Sequence, residues 1–455
     1  MTVSELTLSQ AAVAYGGTLL YPDCRFSRVS TDTRTLARGE LFVALRGETY
    51  DGHLFLKEVA NDACGLVVQY PDKQVDKPQW VVPDTVVALG QLAKLARDQF
   101  DGPLIALTGS SGKTTVKEML ASILTCVAPV LATRGNLNNH IGVPKTLLAL
   151  AKEHRYAVLE MGASGPGEIA YLVSLARPTI ALVNNVMPAH VEGFGSLAGV
   201  AAAKGEIYGG LDASGTAVIN LDEPWARDWR RKLPCMNVVT FSLEQEGADV
   251  GASNIRFDHR GNPAFTLHVA GEELPVSLPA PGRHNVSNAL AAAACALAAG
   301  ISPTTIAAGL EAIQTVSGRM EFKDGPRGST VIDDSYNANP GSVKAAIDVL
   351  GALDGQRLLV LGDMAELGPE ARALHREVGE YAQATGIDQL LATGQLSKEA
   401  VAGFGEQGQW FADKDALVRH LRKTLDENTT ALVKGSRSAA MDEVVNQLVD
   451  SGRVA

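Results

Sequence analysis

The stretch Leu104–Thr115, L-I-A-L-T-G-S-S-G-K-T-T, constrains the fold of this chain more than any other. Leu104 to Leu107 form a β-type apolar run, Gly109, Ser110, Ser111 and Gly112 make a turn, and Lys113, Thr114 and Thr115 open the helical pattern V-K-E-M-L-A-S-I-L. A strand that passes through a glycine turn into a helix aims successive backbone N–H groups, and the positive end of the helix, at one point. Anionic oxygens collect there. Lys113 can reach the β- and γ-phosphates of a nucleotide, and the Thr114 hydroxyl can ligate Mg²⁺. The common spacing G-x-x-x-x-G-K-[ST] is not fully met, because Leu107 stands at its first glycine. Gly-Lys-Thr alone arises by chance, and an ordinary βα turn reads the same way. The strand and helix flanks favour a nucleotide-phosphate site.

A chain of 455 residues has room for about two to four domains. Its 46% hydrophobic content supports sizeable cores, and its net charge of −11, without a long basic run, disfavours nucleic acid or an anionic membrane as partner. Any phosphate site must therefore draw its positive charge locally. Cys24, Cys64, Cys126, Cys235 and Cys295 show no C-x-x-C spacing and read as reduced thiols of a cytoplasmic protein. The N-terminus lacks the basic and apolar regions of a signal peptide, and the small-apolar run Ala289–Ala299 is too short to span a bilayer.

Three blocks follow from the pattern: 1–102, 103–315 and 316–455. In the first, a helix ending at Gly16-Gly17 precedes short strand-like runs at 41–45 and 65–69. The polar segments at 30–34 and 46–53 read as turns with Asx caps or as binding loops. The second block alternates β-type and helical runs, as expected of a mostly parallel α/β sheet. Its strand Y-A-V-L-E-M-G ends in Glu160, at the end of an open sheet where ligands collect, so Glu160 is a candidate Mg²⁺ carboxylate or else a helix N-cap or a surface Glu. The strand T-I-A-L-V-N-N-V leads to His190, and the alanine-rich helix at 196–208 carries Lys204. A lone His and a lone Lys are usually a packed imidazole and a solvated cation, so spacing alone assigns neither. Arg283, Asn285 and Asn288 cluster at the positive end of a second alanine-rich helix. In the third block, 330–340 reads as a strand ending in carboxylates and amides, and 357–368, 389–394 and 431–438 as strands that each end in Gly and polar residues, a Rossmann-like pattern. No turn there reads G-x-G-x-x-G, which disfavours a dinucleotide-dependent dehydrogenase.

Across all three blocks the motifs T-G-S-S-G-K-T-T, G-N-L-N-N-H-I-G-V-P, V-N-N-V-M-P-A-H-V-E-G-F-G-S, A-K-G-E-I, L-P-A-P-G-R-H-N-V-S-N-A-L-A-A, D-D-S-Y-N-A-N-P, G-D-M-A-E-L-G and K-G-S-R-S-A-A-M resemble those of the Mur ligase family. These are cytoplasmic, amide-forming enzymes of peptidoglycan precursor synthesis. The resemblance is greatest to the branch that adds D-alanyl-D-alanine to a UDP-N-acetylmuramoyl-tripeptide. The D-N-P-R motif expected of the diaminopimelate-adding branch is absent from the sequence.

The resemblance implies an α/β fold of three domains: a small uridine-nucleotide-binding domain, a central phosphate-loop domain and a Rossmann-like domain that shares the ATP site and takes the acceptor. It implies that Gly109 to Thr115 bind ATP phosphates, with Asn288 at adenine, Arg319 at the phosphates, Asp334 at ribose, and Tyr336 and Asn337 beside the nucleotide. Lys113, Lys204, His190, Glu160 and Arg319 are the implied catalytic set. Two Mg²⁺ would be held by Thr114, Glu160, His190 and Lys204, the last as a carbamate formed with CO₂. Thr33, Gly47, Glu48, Thr49, Asp51, Asn138 and Asn139 would cradle the UDP substrate, and Asp363, Glu366, Ser436 and Arg437 the acceptor. A monomer that phosphorylates a carboxylate and then joins it to an amine is expected. Alternatives are a sibling ligase or a folylpolyglutamate-synthase-like enzyme with another acceptor, a P-loop kinase, or a non-catalytic nucleotide-binding module.

Overall fold

The computed structural model of the chain describes residues 6–188 and 191–449. Its strands form four sheets. A five-stranded sheet runs in the order Thr18–Leu20, Gln79–Val81, Gly65–Val68, Leu41–Val43, Val29–Ser30, and a two-stranded ribbon pairs Leu6–Thr7 with Arg25–Phe26. The first helix, Leu8–Tyr15, begins at a reciprocal cap between Thr7 and Gln10 and ends at Gly16. The two polar segments are Asx turns: Asp32 Oδ1 accepts from Arg34 N at 3.0 Å, and Asp51 Oδ1 from His53 N at 2.9 Å.

The central sheet has nine strands, ordered Glu272–Ser277, Pro263–Val269, Val250–Phe257, Asn237–Phe241, Thr216–Asn220, Ile180–Val183, Leu104–Thr108, Tyr156–Glu160, Val130–Ala132. All neighbours are parallel except the first two pairings, an antiparallel addition built from 250–277. Leu104–Thr108 is buried along its whole length, as an apolar run covered on both faces must be. It lies between strands that the chain reaches in opposite directions, the switch point at which a crevice opens beyond the strand ends.

Helices Lys113–Thr125, Arg283–Ala298 and Pro303–Glu311 pack on one face of this sheet. Alanines in Arg283–Ala298 keep that layer thin, and Ala289 to Ala296 are almost wholly buried. Gly309 brings two of the helices together: a Cβ there would lie 2.3 Å from Ile123 Cα, and Ser122 Oγ donates to Gly309 O at 2.7 Å. The helix that follows the phosphate loop is thus clamped from behind.

The third sheet has six strands, ordered Glu321–Asp324, Thr330–Asp334, Thr429–Lys434, Gln356–Leu361, Gln389–Thr393, Gly408–Phe411, parallel apart from the first pair. Arg97, at the end of helix Thr85–Arg97, ties the opening sheet to the central one by donating to Ala176 O at 2.6 Å and Arg177 O at 3.0 Å. Among the described residues no helix is long and apolar enough to cross a membrane.

Gly309→Ala forces a backbone contact apart and is expected to lower unfolding free energy by about 1–3 kcal/mol in urea titration. Gly209→Ala, with nothing within 4 Å of the added carbon, leaves the midpoint nearly unchanged.

Candidate active site

The phosphate loop takes its shape from its neighbours. Ser110 N donates to Asn185 O at 3.0 Å, Ser111 N to Asn185 Oδ1 at 2.8 Å, and both Asn184 and Asn185 donate from Nδ2 to Ser111 O. Gly112 has φ +74°, and a Cβ there would lie 2.3 Å from Asn288 Oδ1, so only glycine closes this turn. Helix Lys113–Thr125 starts without a side-chain cap, which leaves its first N–H groups for an anion. Lys113 Nζ donates to Gly109 O at 2.8 Å. Desolvation lowers its pKa, Glu160 opposes that shift, and Arg319 adds to it.

Glu160 ends the neighbouring parallel strand and is 2% exposed. Its Oε2 accepts from Thr114 Oγ1 and its Oε1 from Asn138 Nδ2, each at 2.8 Å. Asn138, grouped with the uridine cradle from the sequence, therefore reaches the loop end of the cavity. Asn139 Oδ1 caps the following helix by accepting from Gly142 N at 2.9 Å. Lys204 is buried in the same wall, and burial, with Lys113 nearby, lowers its pKa to about 7. His190 lies outside the described residues.

The third sheet closes the cavity from above. Arg319 Nη2 donates to Thr114 Oγ1 at 2.9 Å, and its guanidinium lies 4.5 Å from the centre of the Tyr336 ring, which Arg437 approaches at 5.6 Å. Asp334 receives Lys434 Nζ at 2.5 Å and Met320 N at 3.3 Å. Asn337 Oδ1 accepts from Ala338 N at 2.9 Å and Arg437 N at 3.3 Å. Below, a chain of amides runs from the loop to the alanine-rich helix: Asn184 donates to Asn288, Asn288 to Asn285, and Asn285 to Pro281 O.

These groups line one cavity of about 670 Å³, shared by Ser110 to Thr115, Asn138, Asn139, Glu160, Lys204, Asn288, Arg319, Asp334, Tyr336, Asn337 and Arg437. Gly109 joins it through its carbonyl on Lys113. Thr33, Gly47, Glu48, Thr49, Asp51, Asp363, Glu366 and Ser436 do not line it. Asp363 is committed elsewhere, since its carboxylate accepts from Ser397 N, Ser397 Oγ and Gln395 N. Ser436 is buried, with its N–H on Asp363 O.

Sequence reasoning missed Lys434, Asn184, Asn185, His284 and Glu223. The strand-end rule that found Glu160 also reaches Lys434 and the two asparagines. His284 and Glu223 carry no comparable signal. His284 lines the cavity with its pKa lowered by burial. Glu223 accepts Val186 N at 3.1 Å on Oε1, while Oε2 is buried without a hydrogen-bond partner. Burial, with a smaller push from Asp222, raises its pKa to about 7.

Because the folded pKa of Glu223 lies above the unfolded one, its stabilising contribution is complete below pH about 4.5 and is lost as pH rises through about 7. Glu223→Gln should gain stability relative to the wild type over that window, by at most about 1.4 kcal/mol per pH unit, in urea midpoints measured across pH.

Residues 107–296 match the model of the Mur ligase middle domain and residues 318–437 that of the Mur ligase glutamate ligase domain. The chain is 47% identical to the UDP-N-acetylmuramoyl-tripeptide–D-alanyl-D-alanine ligase of Escherichia coli K12, over 98% of this chain and 99% of that one. It is 44% identical to the Haemophilus influenzae ligase of the same name, over 93% of each. A crystal structure of MurF from Acinetobacter baumannii superposes with TM-score 0.92 at 37% identity, covering 99% of this chain and 100% of that one. MurF of Thermotoga maritima in complex with ADP superposes at 0.82 with 26% identity, covering 94% and 98%. A Mycobacterium tuberculosis folylpolyglutamate synthase, at 18% identity, TM-score 0.63 and coverage of 80% and 94%, shares the fold. The chain belongs to the Mur ligase family.

Proposed function

We propose that this chain is an ATP-dependent amide ligase that joins D-alanyl-D-alanine to the terminal carboxylate of UDP-N-acetylmuramoyl-tripeptide in peptidoglycan precursor synthesis. It acts in the cytoplasm as a monomer. The observation that carries this reading is the extent of the likeness: it runs through all three blocks to ligases of that name, rather than through the phosphate loop alone. The blocks 1–102, 103–315 and 316–455 are read as UDP-substrate, ATP and acceptor domains.

Joining a carboxylate to an amine in water is uphill, so the carboxylate must first be activated. The γ-phosphoryl group of ATP passes to the carboxylate, giving an acyl phosphate and ADP. The dipeptide amine then attacks the acyl carbon, and the tetrahedral intermediate collapses to amide and phosphate with loss of a proton. Lys113 and the N–H groups of 109–115 hold the phosphates, Arg319 meets them from the third block, and the Asn288 amide faces adenine. Asp334, fixed by Lys434, is placed for ribose hydroxyls, and Tyr336 and Asn337 flank the nucleotide. Thr33 and 47–51 form the uridine cradle, and Arg437, at the cavity edge, guides the acceptor with Asp363, Glu366 and Ser436 shaping its loops. Closure turns on 101–103 and 315–320.

The donors fit a hard divalent cation, because the Thr114 hydroxyl and the Glu160 carboxylate meet at 2.8 Å on the cavity floor. Mg²⁺ bound there supplies positive charge between phosphate and carboxylate oxygens that otherwise repel. Lys204 fits the carbamate reading. With its pKa at about 7 it offers a neutral amine, the form that adds CO₂ and releases a proton to become an anionic oxygen ligand.

Phosphate release with ATP and Mg²⁺ should require both UDP-N-acetylmuramoyl-tripeptide and D-alanyl-D-alanine, with a product heavier by the dipeptide less one water. Release with a single amino acid in its place moves the chain to a sibling ligase. ADP formation independent of any amine indicates a kinase. Separately, ¹³C-bicarbonate should give a carbamate carbon resonance that grows as pH rises through about 7 and is missing in Lys204→Arg.

A further inference from the structure

Thr114 Oγ1 gives its one proton to Glu160 Oε2 and accepts from Arg319 Nη2. Thr114 and Glu160 are 8% and 2% exposed, so a permanent positive charge is laid against a buried hydroxyl–carboxylate pair. The seat suits Arg319 only in part. Its Nε is buried with no acceptor, although a guanidinium presents its donors as a fork made for two oxygens. Like charge surrounds it: Arg437 shares the Tyr336 ring, and Arg319 itself helps to lower the pKa of Lys113. A hydroxyl oxygen and an aromatic face hold the guanidinium where a paired anion would hold it better.

We propose that Arg319 competes with the divalent cation for Thr114 and that nucleotide phosphate is what draws it away. This rests on the Mg²⁺–ATP reading above. A cation ligated by Thr114 Oγ1 sits about 2.1 Å from that oxygen. The Arg319 nitrogen at 2.9 Å from the same oxygen would then lie within about 5 Å of a divalent charge, an arrangement that costs affinity unless one of the two leaves. A triphosphate resolves the conflict. It offers Nε and Nη2 the two acceptors that a single hydroxyl cannot, and its own charge screens what remains. Metal and nucleotide binding are therefore coupled through Arg319, in addition to any oxygen ligands that they share.

The test is Mn²⁺ binding, read from the electron paramagnetic resonance signal of the free ion, on the full chain with and without ATP. In the absence of nucleotide, Arg319→Gln and Arg319→Met should bind Mn²⁺ at least about tenfold more tightly than the wild type, and Arg319→Lys, which keeps the charge, should stay near the wild type. Two neutral variants, each checked by its urea midpoint, keep the result independent of either one's folding. Equal or weaker Mn²⁺ binding in the neutral variants overturns the competition, as does a Lys variant that behaves like them. In both cases ATP-dependent Mn²⁺ binding by the wild type leaves the ligase reading intact. A wild type that binds no Mn²⁺ even with ATP brings down the reading itself.

Discussion

Thr114 Oγ1 donates to Glu160 Oε2 across 2.8 Å, and that bond exists because the strands Leu104–Thr108 and Tyr156–Glu160 run parallel in register, with Glu160 opposite Leu107. One strand delivers the phosphate loop and the other a carboxylate to the same end of the sheet. Each is incomplete alone: a loop without a carboxylate binds anions but orients no cation, and a buried carboxylate without partners carries a desolvation cost. Asn138 and Thr114 supply those partners, and Thr133 holds the backbone N–H of Glu160 at 3.0 Å. The remaining architecture keeps this joint in place. Gly309 clamps the loop helix from behind, and the 184–187 segment braces the loop from the side.

A net charge of −11 makes this arrangement a local problem in electrostatics. Cations are brought in singly from separate elements: Lys113 from the loop helix, Lys204 from an alanine-rich helix, and Arg319 and Lys434 from the third block. Helices rich in alanine permit this, because small side chains let a long lysine be buried to 2% exposure beside other backbone without overpacking. Burial then changes the chemistry of the cation. Lys204 falls to a pKa of about 7, so the packing that hides it also favours its neutral amine.

The strand–loop–helix unit was legible in the sequence because its signals are local: an apolar run, glycines at fixed offsets and a helical period. Glu160 was legible for a related reason, as the last residue of a buried strand in an open α/β pattern. The two larger sheets, of nine and six strands, follow from alternation in the same way. What the sequence hid is pairing at a distance. Lys434 lies 100 positions from the Asp334 that it holds, and Arg319 lies 205 from Thr114. Asn184 and Asn185 read as the polar end of a strand, and nothing in V-N-N-V says that their amides lock Ser111. Asp363 shows the opposite failure. A carboxylate in a strand-end loop suggests a ligand contact, yet the donors of 395–397 occupy it.

The third block meets the phosphate loop through Arg319, and the quality of that contact sets how firmly the two are held together. A joint made of matched ion pairs would hold the blocks shut whether or not substrates were present. Here the guanidinium has a hydroxyl, a ring face and an unmatched buried donor. Such a contact is specific in position and weak in energy, because the best acceptors for a guanidinium are the paired oxygens of phosphate or carboxylate. Under the proposed function, binding energy from the nucleotide would be free to set a closed geometry, and a closed cavity would exclude the water that hydrolyses an acyl phosphate before the amine arrives. The imperfect fit of one arginine is thus consistent with a site in which anion binding and closure are a single event.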